Sequence, residues 1–260
     1  MPFFACCQFG NGGAKEVEKL KKTETMVILG YSDAYNDAIK EAFEKHWTFT
    51  KVSFISGTQY KDHCSNSKYS FVHVFSIKDW QFTREEYDDV GIVLGGRCKT
   101  GPDDMIAYAN MIVYEDDYFR LECKRAVQFM QQYLEIALAQ KLPKDNIKET
   151  INFYASKQQQ MEGKTLVFGP EDLRPEIREI EQIKKHYKHP VKLETGLYID
   201  RAVWREEPGM MYSSYVFDMR GYSFHLIIQA SNNEILYAIP TKSSQGYVVS
   251  NPILKKFSSF

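Results

Sequence analysis

The chain has 260 residues, with 33 Lys and Arg against 34 Asp and Glu and a formal net charge of −1. This balance, with no long block of one sign, argues against a phosphate-seeking surface and so against nucleic acid as a partner. No run reaches the roughly eighteen apolar residues that a membrane span requires, and a chain of this length builds a core without disulfide or metal staples.

Residues 1–22 read as a flexible N-terminal tail. Met1-Pro2-Phe3-Phe4-Ala5-Cys6-Cys7 lacks both the basic start and the roughly 7–15-residue apolar stretch of a secretory leader. Cys6 and Cys7 are adjacent, however, and stable attachment to a membrane takes two acyl chains, which makes this pair the candidate lipidation site. Cys64, Cys98 and Cys123 complete a set of five without CxxC spacing. That set argues against a disulfide framework or a zinc site and for a reducing, cytoplasmic setting.

From residue 23 the chain carries one pattern twice. Met26-Val27-Ile28-Leu29-Gly30 is followed by Asp33, a helical stretch ending Lys45-His46-Trp47, and Val52-Ser53-Phe54-Ile55-Ser56-Gly57. Thr165-Leu166-Val167-Phe168-Gly169 is followed by Asp172, a helical stretch ending Lys185-His186-Tyr187, and Val191-Lys192-Leu193-Glu194-Thr195-Gly196. The two glycines are 27 residues apart in each copy. Tyr69–Phe75 then answers Tyr212–Phe217 as a third strand. Short apolar runs alternating with amphipathic helices predict crossover connections and parallel strands.

The copies diverge after the shared core. In the first, Thr83-Arg84-Glu85-Glu86 has the pattern of a capping box, Gly91–Leu94 reads as a strand, and Met105–Tyr114 as another. Phe119–Lys141 is the longest amphipathic helix, with Cys123 on its apolar stripe, and a second helix runs to about Gln160. In the second copy Tyr222–Gln229 and Glu234–Ile239 flank a polar turn and read as antiparallel strands. The expected organisation is a tail at 1–22, a first α/β repeat at 23–118, linking helices at 119–161 and a second α/β repeat at 162–260. The expected fold is α/β: two Rossmann-like, βαβ-type half-repeats with mainly parallel sheets, extended by antiparallel strands and joined by long helices.

The residues shared by the copies have structural readings. Asp33 and Asp172 stand where helices start and read as caps; His46 and His186 stand in last turns. Gly57 and Gly196 read as sharp turns at positive φ. Asp62-His63-Cys64 reads as a surface loop, and His73 and His225 as packed, hydrogen-bonded strand residues. Neither Gly30 nor Gly169 opens a dinucleotide fingerprint, so no cofactor is expected. The candidate ligand-binding residues are Gly95, Gly96, Arg97, Lys99 and Thr100, where backbone N–H groups and two cations follow an apolar strand. The plain reading of this stretch is an exposed hairpin or loop, and a Cys98 thiol whose pKa is lowered by Arg97 and Lys99 is the lesser alternative.

These readings point to a non-catalytic binding or assembly module whose strand ends meet a ligand or a protein partner. The alternatives are an enzyme or sensor of a small anionic metabolite using the Gly95–Gly101 loop, and a membrane-associated accessory protein held through Cys6 and Cys7.

Overall fold

The computed structural model describes residues 10–78, 86–98, 104–111, 119–217, 223–241 and 248–259. They fall into two compact units divided between Ile147 and Lys148. That division assigns the first linking helix to one unit and nearly all of the second to the other.

The N-terminal unit contains α1 (Ala14–Leu20), β1 (Glu24–Leu29), α2 (Asp33–His46), β2 (Val52–Ser56), α3 (Gly57–His63), β3 (Tyr69–Lys78), β4 (Glu86–Leu94), β5 (Ala107–Met111) and α4 (Phe119–Ala139). Its sheet order is β2-β1-β3-β4-β5, parallel around β1 and antiparallel beyond β3. The C-terminal unit contains α5 (Ile147–Ser156), β6 (Thr165–Phe168), α6 (Ile180–Lys184), β7 (Val191–Leu193), α7 (Gly196–Trp204), β8 (Met210–Phe217), β9 (Ser223–Gln229), β10 (Ile235–Thr241) and α8 (Asn251–Phe257). Its order is β7-β6-β8-β9-β10, again parallel around the first strand and antiparallel beyond the third. The fold is therefore α/β with two five-stranded mixed sheets.

Several local expectations are corrected. Ser32, not Asp33, caps α2, its Oγ accepting from the Tyr35 N–H at 3.1 Å, while Asp33 supplies a carboxylate to the first turn. Gly57 and Gly196 open α3 and α7 behind the caps Ser56 and Thr195, and neither has positive φ. The helix expected to end at Tyr187 is broken. Pro170 and Pro175 each start a short 3-10 turn, α6 ends at Lys184, and His186 lies beyond it. The apolar stripe survives the breaks, because Ile177, Ile183 and Tyr187 are all buried. Thr83–Glu85 lie outside the described residues, and Glu86 opens a strand rather than a helix.

Part of the segment read as tail is packed. The Gly12 N–H donates to the Ile106 carbonyl at 3.1 Å and the Ala14 N–H to that of Leu142 at 2.8 Å, and Val17 and Leu20 of α1 are fully buried. The glycines allow this close approach, since a Cβ on Gly13 would meet the backbone of Pro143 and Lys144 at 2.6 Å. The hydroxyl of Tyr133, on α4, lies 2.8 Å from the Gly12 carbonyl oxygen and 3.0 Å from that of Gly10, and accepts from Asn146 Nδ2 at 2.9 Å. Tyr133→Phe strands these buried groups and is expected to destabilise the N-terminal unit by about 1–2 kcal/mol. Denaturant titration with hydrogen exchange at residues 12–20 checks this; a loss of no more than a few tenths would show that the tail does not depend on Tyr133.

Candidate functional site

In each unit the parallel strands end at one edge, where the chain turns into the next helix. In an open α/β sheet this edge is where ligands bind. In the N-terminal unit it carries Gly30, at φ +134°, whose N–H donates to Asn36 Oδ1 at 2.9 Å, and the capping pair Ser56 and Gln59. In the C-terminal unit it carries the turn after β6, where the Asp172 carboxylate accepts from the Gly169 N–H at 3.0 Å and is itself buried.

The most unusual chemistry of the described residues lies at this second edge. Pleat alternation places Met211, Ser213 and Tyr215 of β8 on one face of the sheet, and Ser223, His225 and Ile227 of β9 on the same face. Along that face the side chains change in character. Leu166, Phe168, Met211 and Ile227 join Ile183, Tyr187, Leu254 and Phe257 in the hydrophobic core. Toward the strand ends the face turns polar, with Ser213, Ser223 and His225 all buried.

His225 sits between Tyr215 on β8 and Ile239 on β10. Its ring centroid is 5.2 Å from that of Tyr215, edge to face. Tyr215 is hydrogen-bonded to Ser223, which lowers its phenol pKa, although burial raises it more. Ser223 Oγ also donates to the Thr241 carbonyl at 3.0 Å. His225 itself is 1% exposed, and neither ring nitrogen finds a hydrogen-bond partner among the described residues. Packing is thus as expected for this strand histidine, but the expected hydrogen bond is missing. Burial lowers its pKa from 6.5 to about 3, so the ring is neutral at physiological pH and offers one donor and one acceptor. His73 of β3 differs: its pKa is lowered to about 4, and its ring packs edge to face on Tyr60 of α3 at 4.6 Å.

The loop singled out by sequence has another structure. Gly95 and Gly96 follow β4, and their N–H groups donate to the carbonyls of Tyr69 at 2.9 Å and Cys64 at 3.1 Å. Those donors are engaged within the protein, which leaves the exposed Arg97 as the cation of the described part of the loop. Lys99 and Thr100 lie outside the described residues, as do Cys6 and Cys7.

Cys98 is joined to Cys64 by a disulfide, with Cα atoms 4.8 Å apart. This corrects two expectations. Cys98 is not a free low-pKa thiol, and the cysteine set does include a pair. Sequence spacing concealed the pair because its proximity depends on the β3–β4 register, which sets Ser70 against Leu94 and so brings the flanking segments together. The cysteines therefore no longer argue for a reducing compartment. Asp62 and His63 close α3 and Cys64 caps its C-terminal end, where the sequence suggested a loop. Cys123 is the buried core thiol expected, 3.9 Å from Met111 Sδ and with its pKa raised by burial.

Among the described residues no group of three or more His, Cys, Asp or Glu side chains could hold a metal ion, and no helix is long and apolar enough to cross a membrane. Comparison with protein-family models, curated proteins and solved structures finds no match to this chain.

The buried imidazole fixes a pH dependence. Below pH 6.5 the unfolded chain binds a proton that folded His225 refuses until about pH 3, so its contribution lowers stability as pH falls through that window. The limiting slope is about 1.4 kcal/mol per pH unit. Between pH 6.5 and 5 the wild type should lose about 1–2 kcal/mol more than His225→Phe. Urea titrations at both pH values read this, and equal losses would show that His225 is not held neutral.

Proposed function

We propose that this chain is a non-catalytic binding module in which two copies of a Rossmann-like βαβ unit present their strand ends, and the C-terminal copy seats a small polar ligand at His225. One observation carries the reading: among the described residues, a fully buried imidazole has no partner for either nitrogen, at the edge where such sheets bind ligands. Leaving such a group without a partner costs about 1–3 kcal/mol, a penalty that a bound molecule can offset. Because the ring is neutral, it suits a ligand group that both donates and accepts, such as a hydroxyl or a carboxamide, better than an anion. Among the described residues no carboxylate orients the ring, which favours binding over general-base catalysis.

Support for two copies comes from register as well as from strand order. Gly30 and Gly169, Gly57 and Gly196, and the paired positions Val27–Val72 and Leu166–Met211 all share one offset of 139 residues. On that offset Tyr212 answers His73 rather than Tyr69, so the third strands match four residues away from the alignment their sequences suggest.

A thermal-shift panel tests the reading. Neutral polyols and carboxamides, with organic anions and sugar phosphates as comparison, are added to wild type and to His225→Phe. At a hundredfold excess over Kd a ligand stabilises by about 2.7 kcal/mol, or several degrees in Tm. The expected result is a shift with a neutral compound that folded His225→Phe does not show. No shift with any compound, or an equal shift in both proteins, overturns the proposal.

A further inference from the structure

We infer that Cys64–Cys98 is a thiol–disulfide exchange site, which ties the Gly95–Arg97 loop to the end of α3 when oxidised and releases it when reduced. The two sulfur-bearing residues are unequally placed: Cys64 is 1% exposed, whereas Cys98 is exposed and follows the exposed Arg97. A reductant therefore meets Cys98 first, in a positively charged setting that favours an incoming thiolate.

Little else holds what the disulfide ties. The β3–β4 ladder ends at Ser70 and Leu94, and beyond it Gly95 and Gly96 make one backbone hydrogen bond each. Gly96 adopts φ +94°. On the other side, α3 contains no buried residue; it is held by its capping box, by Tyr60 packing against Phe71 and His73, and by the edge contact of His63 with Tyr69 at 5.5 Å. Val27, Val72, Ile92, Val127 and Leu134 bury the core of this unit independently of either sulfur. Opening the bond thus frees a loop and the end of a short helix while breaking no strand pairing.

The reaction balances with a dithiol as reductant. One thiolate of the dithiol attacks Cys98 Sγ, the Cys64–Cys98 bond breaks, and Cys64 leaves as a thiolate that takes up a proton. The second thiol then loses its proton and attacks the mixed disulfide at the reductant's own sulfur. Cys98 departs as a thiolate and is protonated, and the dithiol has become a cyclic disulfide. Two electrons and two protons have moved to the protein, and oxidised glutathione supplies the reverse reaction.

The test uses the full chain equilibrated in glutathione buffers from oxidising to reducing, or in dithiothreitol. The Cys64–Cys98 state is read by mass spectrometry after thiol labelling, and cleavage after Arg97 by limited trypsin digestion. Expected is a reversible change of state in which the reduced form is cut at Arg97 at least tenfold faster, with far-ultraviolet circular dichroism preserved. Cys98→Ser should be cut at the fast rate in every buffer. Thiols that persist in oxidised glutathione overturn the inference, as do equal cleavage rates in the two states. Loss of secondary structure on reduction would make the bond a structural staple and overturns it equally.

Discussion

The first strand of each sheet in chain order, β1 or β6, has parallel neighbours on both sides, and much of the structure depends on that constraint. Parallel neighbours cannot be joined by a tight turn, so the chain must cross back over a face of the sheet before each new strand. Every departure then takes place at the same edge. Both faces of the strand are buried at Met26 and Val27 and at Leu166–Phe168, which accounts for apolar residues in succession there. The residues immediately beyond must satisfy the free N–H groups of the helices that follow, which accounts for Ser32, Ser56 and Thr195 as caps. Polar side chains gather at this edge for reasons of helix chemistry before any ligand is considered.

Helix capping does not explain the buried polar residues of β8 and β9. Ser213, Ser223 and His225 extend inward from the edge on a face that elsewhere is hydrophobic. Ser223 reaches both Tyr215 and the Thr241 carbonyl. An imidazole has no such freedom, because its donor and acceptor are fixed on opposite sides of a rigid ring. An apolar side chain at position 225 would leave no polar group to be paired. The histidine there opposes stability, and residues kept against stability concentrate at functional sites.

Much of this architecture was legible in the sequence because strands and helices differ in period, and the duplicated spacing of Gly30–Gly57 and Gly169–Gly196 reinforced the reading. What escaped were features set by contacts between distant segments. The Cys64–Cys98 pair depends on hairpin register, which two isolated cysteines cannot reveal. The packing of Gly10–Leu20 depends on Ile106, Tyr133 and Leu142, none of them near in sequence. For His225 a signal did exist. Strict alternation places Ser213 and Tyr215 on one face and Ser223 and His225 on another, and a hairpin joining the strands merges the two faces. Treating each histidine as an isolated strand residue hid that convergence.

The corresponding second crossovers, α3 and α7, show how one topology accommodates different stabilities. α7 buries Ile199, Ala202 and Val203, so its attachment rests on apolar area and needs nothing further. α3 is two residues shorter, buries none, and carries the disulfide at its end. A helix of seven residues has almost no stability of its own in water. Where apolar burial is missing, the position of the helix must come from capping, aromatic edge contacts and a covalent tie. Those are local and separable interactions, and local opening concentrates where buried apolar contacts are few. The same strand order therefore yields one half whose second crossover is fixed by its core and another whose second crossover is held by a bond that chemistry can break.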